Sequence, residues 1–243
     1  MSSRKGGDKN PMALSTRKEE LLDLIYPAAC LGCGAQGRVV CERCLAGLAA
    51  RAPATGNTRR SPGRVPVFSG LRAACEYGGL ARDMVLRLKS SGRPFAHPLS
   101  RLMLAAGGNE PSYLAPDLIC FVPSEKRKMA QRGYNPAELL AREIARCIGR
   151  PLAECLLKSR HTRDQDRVRG EERWANIAGA FAARPGRAVV GRVLLVDDVL
   201  TTGATADACA GALIEAGALS VHVLVAARAV LRSVGPPGGM SEK

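Results

Sequence analysis

At 243 residues, with 46% hydrophobic and 24% charged side chains, the chain holds enough apolar material for a sizeable core, which excludes wholesale disorder. Its 36 basic against 22 acidic residues leave a net charge of +14, which favours polyanionic partners; with aromatics at 4%, small phosphates are favoured over stacked bases. No run approaches the ~20 apolar residues of a membrane helix, and the opening MSSRKGGDKN lacks a secretory core, so a cytoplasmic chain without membrane insertion is expected.

Residues 1–14 are polar and aperiodic and read as a disordered tail. Thr16 and Glu19 form a capping box for a helix carrying Leu21, Leu22, Leu24 and Ile25, which Pro27 ends. A four-cysteine segment completes 15–51, with a short helix over 42–50. Residues 52–66 are rich in Pro, Gly and Arg and read as a linker. A main domain over 67–228 opens with VFSGLRAACEY as one or two strands. Leu80, Met84, Val85 and Leu88 then mark an amphipathic helix. LICFV (118–122) reads as a strand buried on both faces, Ala137–Ile148 as a helix, and 158–176 as a polar, Arg-rich stretch outside the core. VLLV (193–196) is a second buried strand, Thr205–Ala216 a helix closed by Gly217, and SVHVLVAA (220–227) a third strand. Strands alternating with helices predict an α/β fold with a parallel sheet. Residues 229–243 read as a flexible tail.

Cys30-x-x-Cys33 and Cys41-x-x-Cys44 lie within fifteen residues. Paired CxxC units in a cytosolic chain point to a metal site, and four thiolates suit tetrahedral Zn2+. Four ligands close the shell, so the zinc is structural; free dithiols or a redox pair are the alternative. The other five cysteines (Cys75, Cys120, Cys147, Cys155, Cys209) read as buried small hydrophobes. Gly32 to Gly37 satisfies G-x-G-x-x-G, but it follows no strand, opens no helix and is threaded through metal ligands, so it is no dinucleotide site.

The most informative stretch is VLLVDDVLTTGAT (193–205). A buried strand delivers Asp197 and Asp198 to its carboxyl end, where α/β sheets bind ligands. Thr201, Thr202, Gly203, Ala204 and Thr205 turn into a helix, offering N–H groups and hydroxyls to one anion. Carboxylates for sugar hydroxyls beside a phosphate cradle suit a ribose 5-phosphate; an ordinary capped turn is the bland alternative. His97, His161 and His222 carry no catalytic expectation. His222 alternates with Val221 and Val223 and reads as packing or facing a helix, and Trp174 as an anchor.

This loop resembles the phosphoribosyl-pyrophosphate (PRPP) motif of type I phosphoribosyltransferases, and the chain resembles ComF-type proteins over about residues 20–228. The resemblance rests on the Pro27-Cys30-x-x-Cys33 ribbon, the Tyr77-x-Gly79 to Lys89 segment, VPSEKRKMAQRGYN (122–135), the series Arg160, Gln165, Arg173, Asn176, Phe181, and the Asp-Asp-TTGAT loop. Pro136 stands where the family usually has Gln.

The resemblance implies a type I phosphoribosyltransferase-like fold with a small N-terminal zinc ribbon. Asp197 and Asp198 would hold the ribose hydroxyls and act as the catalytic carboxylates. Thr201–Thr205 would hold the 5-phosphate. The turn Val122–Ser124 with Lys126 or Arg127 would face pyrophosphate, Lys89, Lys128, Arg132 and Arg160 being further cationic candidates. Segment 158–176 would be a hood, and Mg2+ would accompany PRPP. Two functions follow. One is a phosphoribosyltransferase taking PRPP or a nucleotide 5-phosphate and an unidentified acceptor, linked to DNA uptake in competence. The other is a non-catalytic accessory protein binding single-stranded DNA or a competence helicase.

Overall fold

The computed structural model describes residues 27–51, 65–159, 177 and 179–229. The expected tail and first helix, most of the linker, Arg160, His161, Trp174 and nearly all of the hood segment, and the chain beyond 229 lie outside the described residues. The elements are α1 (Glu42–Ala49), β1 (Gly70–Glu76), α2 (Gly79–Ser91), α3 (Arg93–Gly107), α4 (Pro111–Leu114), β2 (Leu118–Phe121), α5 (Lys126–Arg132), α6 (Pro136–Ile148), β3 (Leu156–Lys158), β4 (Phe181–Ala183), β5 (Arg192–Leu200), α7 (Ala204–Glu215) and β6 (Ser220–Arg228).

Four strands make a wholly parallel sheet in the order β1-β6-β5-β2. Strand side chains alternate between two cores. Ile119, Phe121, Leu194, Val196, Leu224 and Ala226 pack with Met84, Leu88, Leu99, Leu140 and Ile144 from α2, α3 and α6. Cys120, Val193, Leu195, Val221, Val223 and Val225 pack on the other face with Cys209, Ala210 and Leu213 of α7. Burial on both faces explains the unbroken apolar runs of the sequence. The outer flank of β2 is partly covered: Ile119 N–H donates to Pro151 O at 2.8 Å, and Ala153 N–H donates to Ile119 O at 3.0 Å.

Three differences from the expected elements matter. First, β5 does not stop at Val196; it stays paired with β6 to Leu200, opposite Arg228. β2 ends opposite Val196, so Asp197 and Asp198 lie within β5, just past the end of its neighbour. Second, residues 93–107, to which the sequence reading assigns no element, form α3, with Pro94 in the first turn and Pro98 tolerated inside the helix. Third, the β3–β4 antiparallel pair joins segments more than twenty residues apart, each strand only three residues long. Of the five lone cysteines, Cys75, Cys120, Cys155 and Cys209 are buried, but Cys147 is exposed, on the outer side of α6.

Residues 27–51 share the core of the sheet: Cys30, Val40 and Leu45 are buried in the cluster containing α2 and α3. Glu42 accepts from both guanidinium nitrogens of Arg101 on α3, at 2.6 and 3.1 Å, and from Arg38 at 2.6 Å.

Candidate functional site

The four cysteines converge. A short hairpin bridges Ala29 and Gln36, and Gly34 N–H donates to Cys30 O at 2.8 Å, closing the first knuckle. Cys41 precedes α1 and Cys44 sits in its first turn. All four sulfurs lie within 4.8 Å of one another, and Cys33 Sγ is 3.6 Å from Cys41 Sγ. Thiolates held about 2.3 Å from one ion stand roughly 3.8 Å apart, so the spacing fits a tetrahedral zinc shell. The shifts within the cluster are opposed. Burial alone would raise the Cys30 thiol, but N–H groups of Cys41, Cys33 and Gly32 outweigh it and bring it to about 6. Cys44 is pushed up to about 12, first by its hydrogen bond with Cys41 and then by burial. Four thiols this close cannot all ionise without a cation among them, which is what a metal supplies.

Gly32 has a packing reason to be glycine. A Cβ there would meet Leu80 Cδ2 at 2.8 Å and Cys44 Sγ at 2.9 Å, so the knuckle lies directly against the start of α2.

A second site lies at the carboxyl end of the sheet, a cavity of about 490 Å3. Asp197, Asp198, Thr201, Gly203 and Thr205 line it, together with the turn Val122–Ser124. Gly203 takes a left-handed conformation (φ 85°) that aims the start of α7 at this space. Thr202 faces inward on the turn itself, its Oγ1 accepting from Ala204 N–H at 3.4 Å, and Ala204 is buried. Neither is among the lining residues. Lys126 and Arg127 are exposed on α5 and do not line the cavity either. The cations that do are Lys89, Lys128, Arg132 and Lys158.

The charges are organised in two groups. Lys89, reaching from α2, pairs with Asp198 Oδ2 at 3.0 Å. Lys158, from β3, pairs with Glu125 at 2.8 Å, and Lys128 approaches the same carboxylate at 3.9 Å. Lys158 falls in a three-residue strand, too short for periodicity to place it. Lys128 is selected over Lys126 by the rotation of α5, which the run of three basic residues does not reveal.

The Arg-Gly-Tyr-Asn run builds the floor between these groups. Gly133 ends α5 in the left-handed conformation (φ 75°). Tyr134 OH donates to Leu88 O at 2.8 Å, fixing the end of α2. Buried Asn135 caps α6: its Oδ1 accepts from Ala137 N–H at 3.0 Å and from Ser124 Oγ at 2.8 Å, while Nδ2 donates to Val122 O at 2.9 Å. Pro136 then takes the first helical position, where the missing N–H costs nothing. The departure from the family pattern is thus a standard helix start.

Burial raises the Asp197 carboxyl to about 8, helped by the Asp198 carboxylate and opposed by the Asp198 N–H and by Lys89. Unfolded, Asp197 ionises near 4, at about the ordinary carboxylate value. Between about pH 4 and 8 the folded chain therefore holds a proton that the unfolded chain has lost, and stability falls as pH rises through that window. Asp197→Asn is expected to flatten this slope in urea unfolding followed between pH 5 and 8; an unchanged slope would show that Asp197 ionises normally.

At the opposite end of the sheet, His222 stands edge-on to Tyr113 of α4 with ring centroids 5.5 Å apart, a packing position away from the cavity. Among the described residues no helix is long and apolar enough to cross a membrane.

The chain is 32% identical to the DNA utilization protein YhgH of Escherichia coli O6:H1 over 164 residues, covering 65% of this chain and 71% of that protein. It is 33% identical over 117 residues to competence protein F of Haemophilus influenzae, covering 47% of this chain and 51% of that protein. Similar solved structures include the glutamine PRPP amidotransferase of B. subtilis (23% identity, TM-score 0.39, 58% of this chain and 30% of that one). Another is the orotate phosphoribosyltransferase of Aeropyrum pernix (15% identity, TM-score 0.32, 54% and 69%). No protein-family model matches the chain.

Proposed function

The chain belongs to the family of the DNA utilization protein YhgH and competence protein F, and from that premise we propose that it is a phosphoribosyltransferase-like protein of DNA utilization. Its ligand is PRPP or a nucleotide 5-phosphate, bound at the carboxyl end of the sheet. One observation carries this reading: two adjacent carboxylates and Thr201, Gly203 and Thr205 of the following turn line a single cavity together with Lys89, Lys128, Arg132 and Lys158.

Each residue has a role in that reading. The turn around Gly203 offers N–H groups and hydroxyls to the 5-phosphate. Asp198 and Asp197 accept from the ribose hydroxyls. Lys128 and Lys158 lie where a departing pyrophosphate would be stabilised, and low water content would strengthen that attraction. The donor set fits Mg2+, which takes one or two carboxylates and fills its shell from phosphates and water. Bound there by Asp198 and the ligand's own oxygens, it would supply charge neutralisation for the polyphosphate. Deprotonation of Asp197 on ligand binding would release a proton below about pH 8.

Calorimetry with millimolar PRPP and Mg2+ tests the proposal. Binding heat is expected, and Asp198→Ala or Thr201→Val, both at positions lining the cavity, should each weaken affinity about ten- to a hundredfold through lost hydrogen bonds to charged groups. Absence of both heat and thermal shift in the wild-type protein would defeat the reading.

A further inference from the structure

We propose that residues 19–25 of this chain lay an apolar stripe into a groove between the cysteine knuckle and α3, with their carboxylates on the arginines at its rim. The groove shares no residue with the cavity at the carboxyl end of the sheet, so the inference stands apart from the sugar-phosphate reading.

The groove is a cavity of about 370 Å3, walled on one side by residues 38–45 and on the other by the first half of α3. Its floor is apolar: Val39, Val40 and Leu45 meet Pro94 and Pro98. Val40, Leu45 and Pro98 are buried, so the floor is continuous with the core beneath it. The rim is charged. Arg38 and Arg101 both bond the Glu42 carboxylate, each at 2.6 Å. One carboxylate between two guanidiniums leaves a positive charge unmatched, and the pair carries more N–H donors than Glu42 takes. His97 stands at the same rim, 3.3 Å from Glu143. An apolar stripe bordered by carboxylates is what such a groove fits.

The chain carries such a stripe close by. Residues 19–25 (EELLDLI) hold three carboxylates and no cation, in a chain of net charge +14. The sequence reads them as part of a helix capped at Thr16. At about 100° per residue, Leu21, Leu22, Leu24 and Ile25 fall on one side of that helix, and Glu19 and Glu20 border it. Pro27 is the first described residue, and Gly37 N–H donates to Ala28 O at 2.8 Å. Ala28 is thereby held beside the residue that immediately precedes Arg38, where the groove wall begins. Ile25 is three residues from Ala28, a span of at most roughly 10 Å, so the stripe starts within reach. Tethering gives it an effective concentration on the order of millimolar. A contact too small to hold a separate protein suffices for a tethered segment.

Amide hydrogen exchange of the full chain, read by mass spectrometry, tests this. Amides of residues 20–26 should exchange about tenfold or more slowly than in a free peptide of residues 12–28. Leu21→Gln with Leu24→Gln keeps helix propensity but removes the stripe. Pro94→Glu sets a carboxylate at the mouth of the groove, on an exposed position in the first turn of α3 that tolerates an acid. Either change should return residues 20–26 to the free-peptide rate and quicken exchange in residues 38–45. Free-peptide exchange in the wild-type chain would overturn the proposal. Protection that Pro94→Glu leaves untouched would also overturn it, since the segment would then be seated elsewhere. So would protection that falls on dilution, because the groove would then hold a segment of a second copy.

Discussion

Cys33→Ser is expected to abolish stoichiometric zinc binding and to release residues 27–51 from the body of the protein. Cys33 is exposed and packs against nothing essential, so its replacement removes a metal ligand and little else. Only Cys30, Val40 and Leu45 are buried among those residues, too few apolar groups to order the segment unaided. Thiolate zinc sites contribute roughly 10–16 kcal/mol of folding free energy in isolated finger peptides, so loss of a ligand outweighs the remaining contacts. The core beneath α7 contains no residue of this segment and should persist. Elemental analysis should find one zinc per wild-type chain and much less in the variant, whose ribbon becomes protease-sensitive while the far-ultraviolet spectrum is largely retained. A wild-type chain free of zinc, or a variant that keeps it, would refute this.

Asn135→Ala should lower stability by roughly 2–4 kcal/mol and disorder the cavity floor. The side chain makes three hydrogen bonds from a nearly inaccessible position, and truncation strands Val122 O and Ala137 N–H without the partners they now have. Ser124 loses its anchor as well, so the turn after β2 is freed along with the start of α6. Urea denaturation measures the stability loss. Asn135→Asp keeps the cap acceptor but not the donor to Val122, and should fall between the two proteins. A loss below about 0.5 kcal/mol for alanine would mean that water replaces all three bonds.

The sheet was legible in the sequence because its central strands are covered on both sides, which leaves apolar runs such as LICF, VLLV and SVHVLVAA. The position of the carboxylate pair was legible for the same reason: a polar Asp-Asp closing such a run marks the carboxyl end of the strand, where the cavity opens. Residues brought in from a distance were harder to see. Lys158 reaches the cavity from a three-residue strand whose partner lies beyond the undescribed stretch. Lys128 and not Lys126 faces inward because α5 begins at residue 126 and turns by 100° per residue, a phase that composition does not carry. The Tyr-x-Gly to Lys segment stood out as a resemblance, but its geometry did not: one face of α2 brings both Leu86 and Lys89 to the cavity.

Helix α2 also touches the other site. Leu80, in its first turn, lies against Gly32 and is near the Cys44 sulfur, while Lys89, near its last turn, holds Asp198. Nine residues of helix separate them, about 13 Å of stiff rod. Tyr134 clamps the far end of that rod through Leu88 O. With one end pinned by a tyrosine and the other resting on the cysteine knuckle, the rod has two bearings. If the cavity holds a sugar phosphate as proposed, loss of metal from the cysteine cluster is expected to weaken that binding before the sheet gives way, so metal supply would set how much of the protein can engage the ligand.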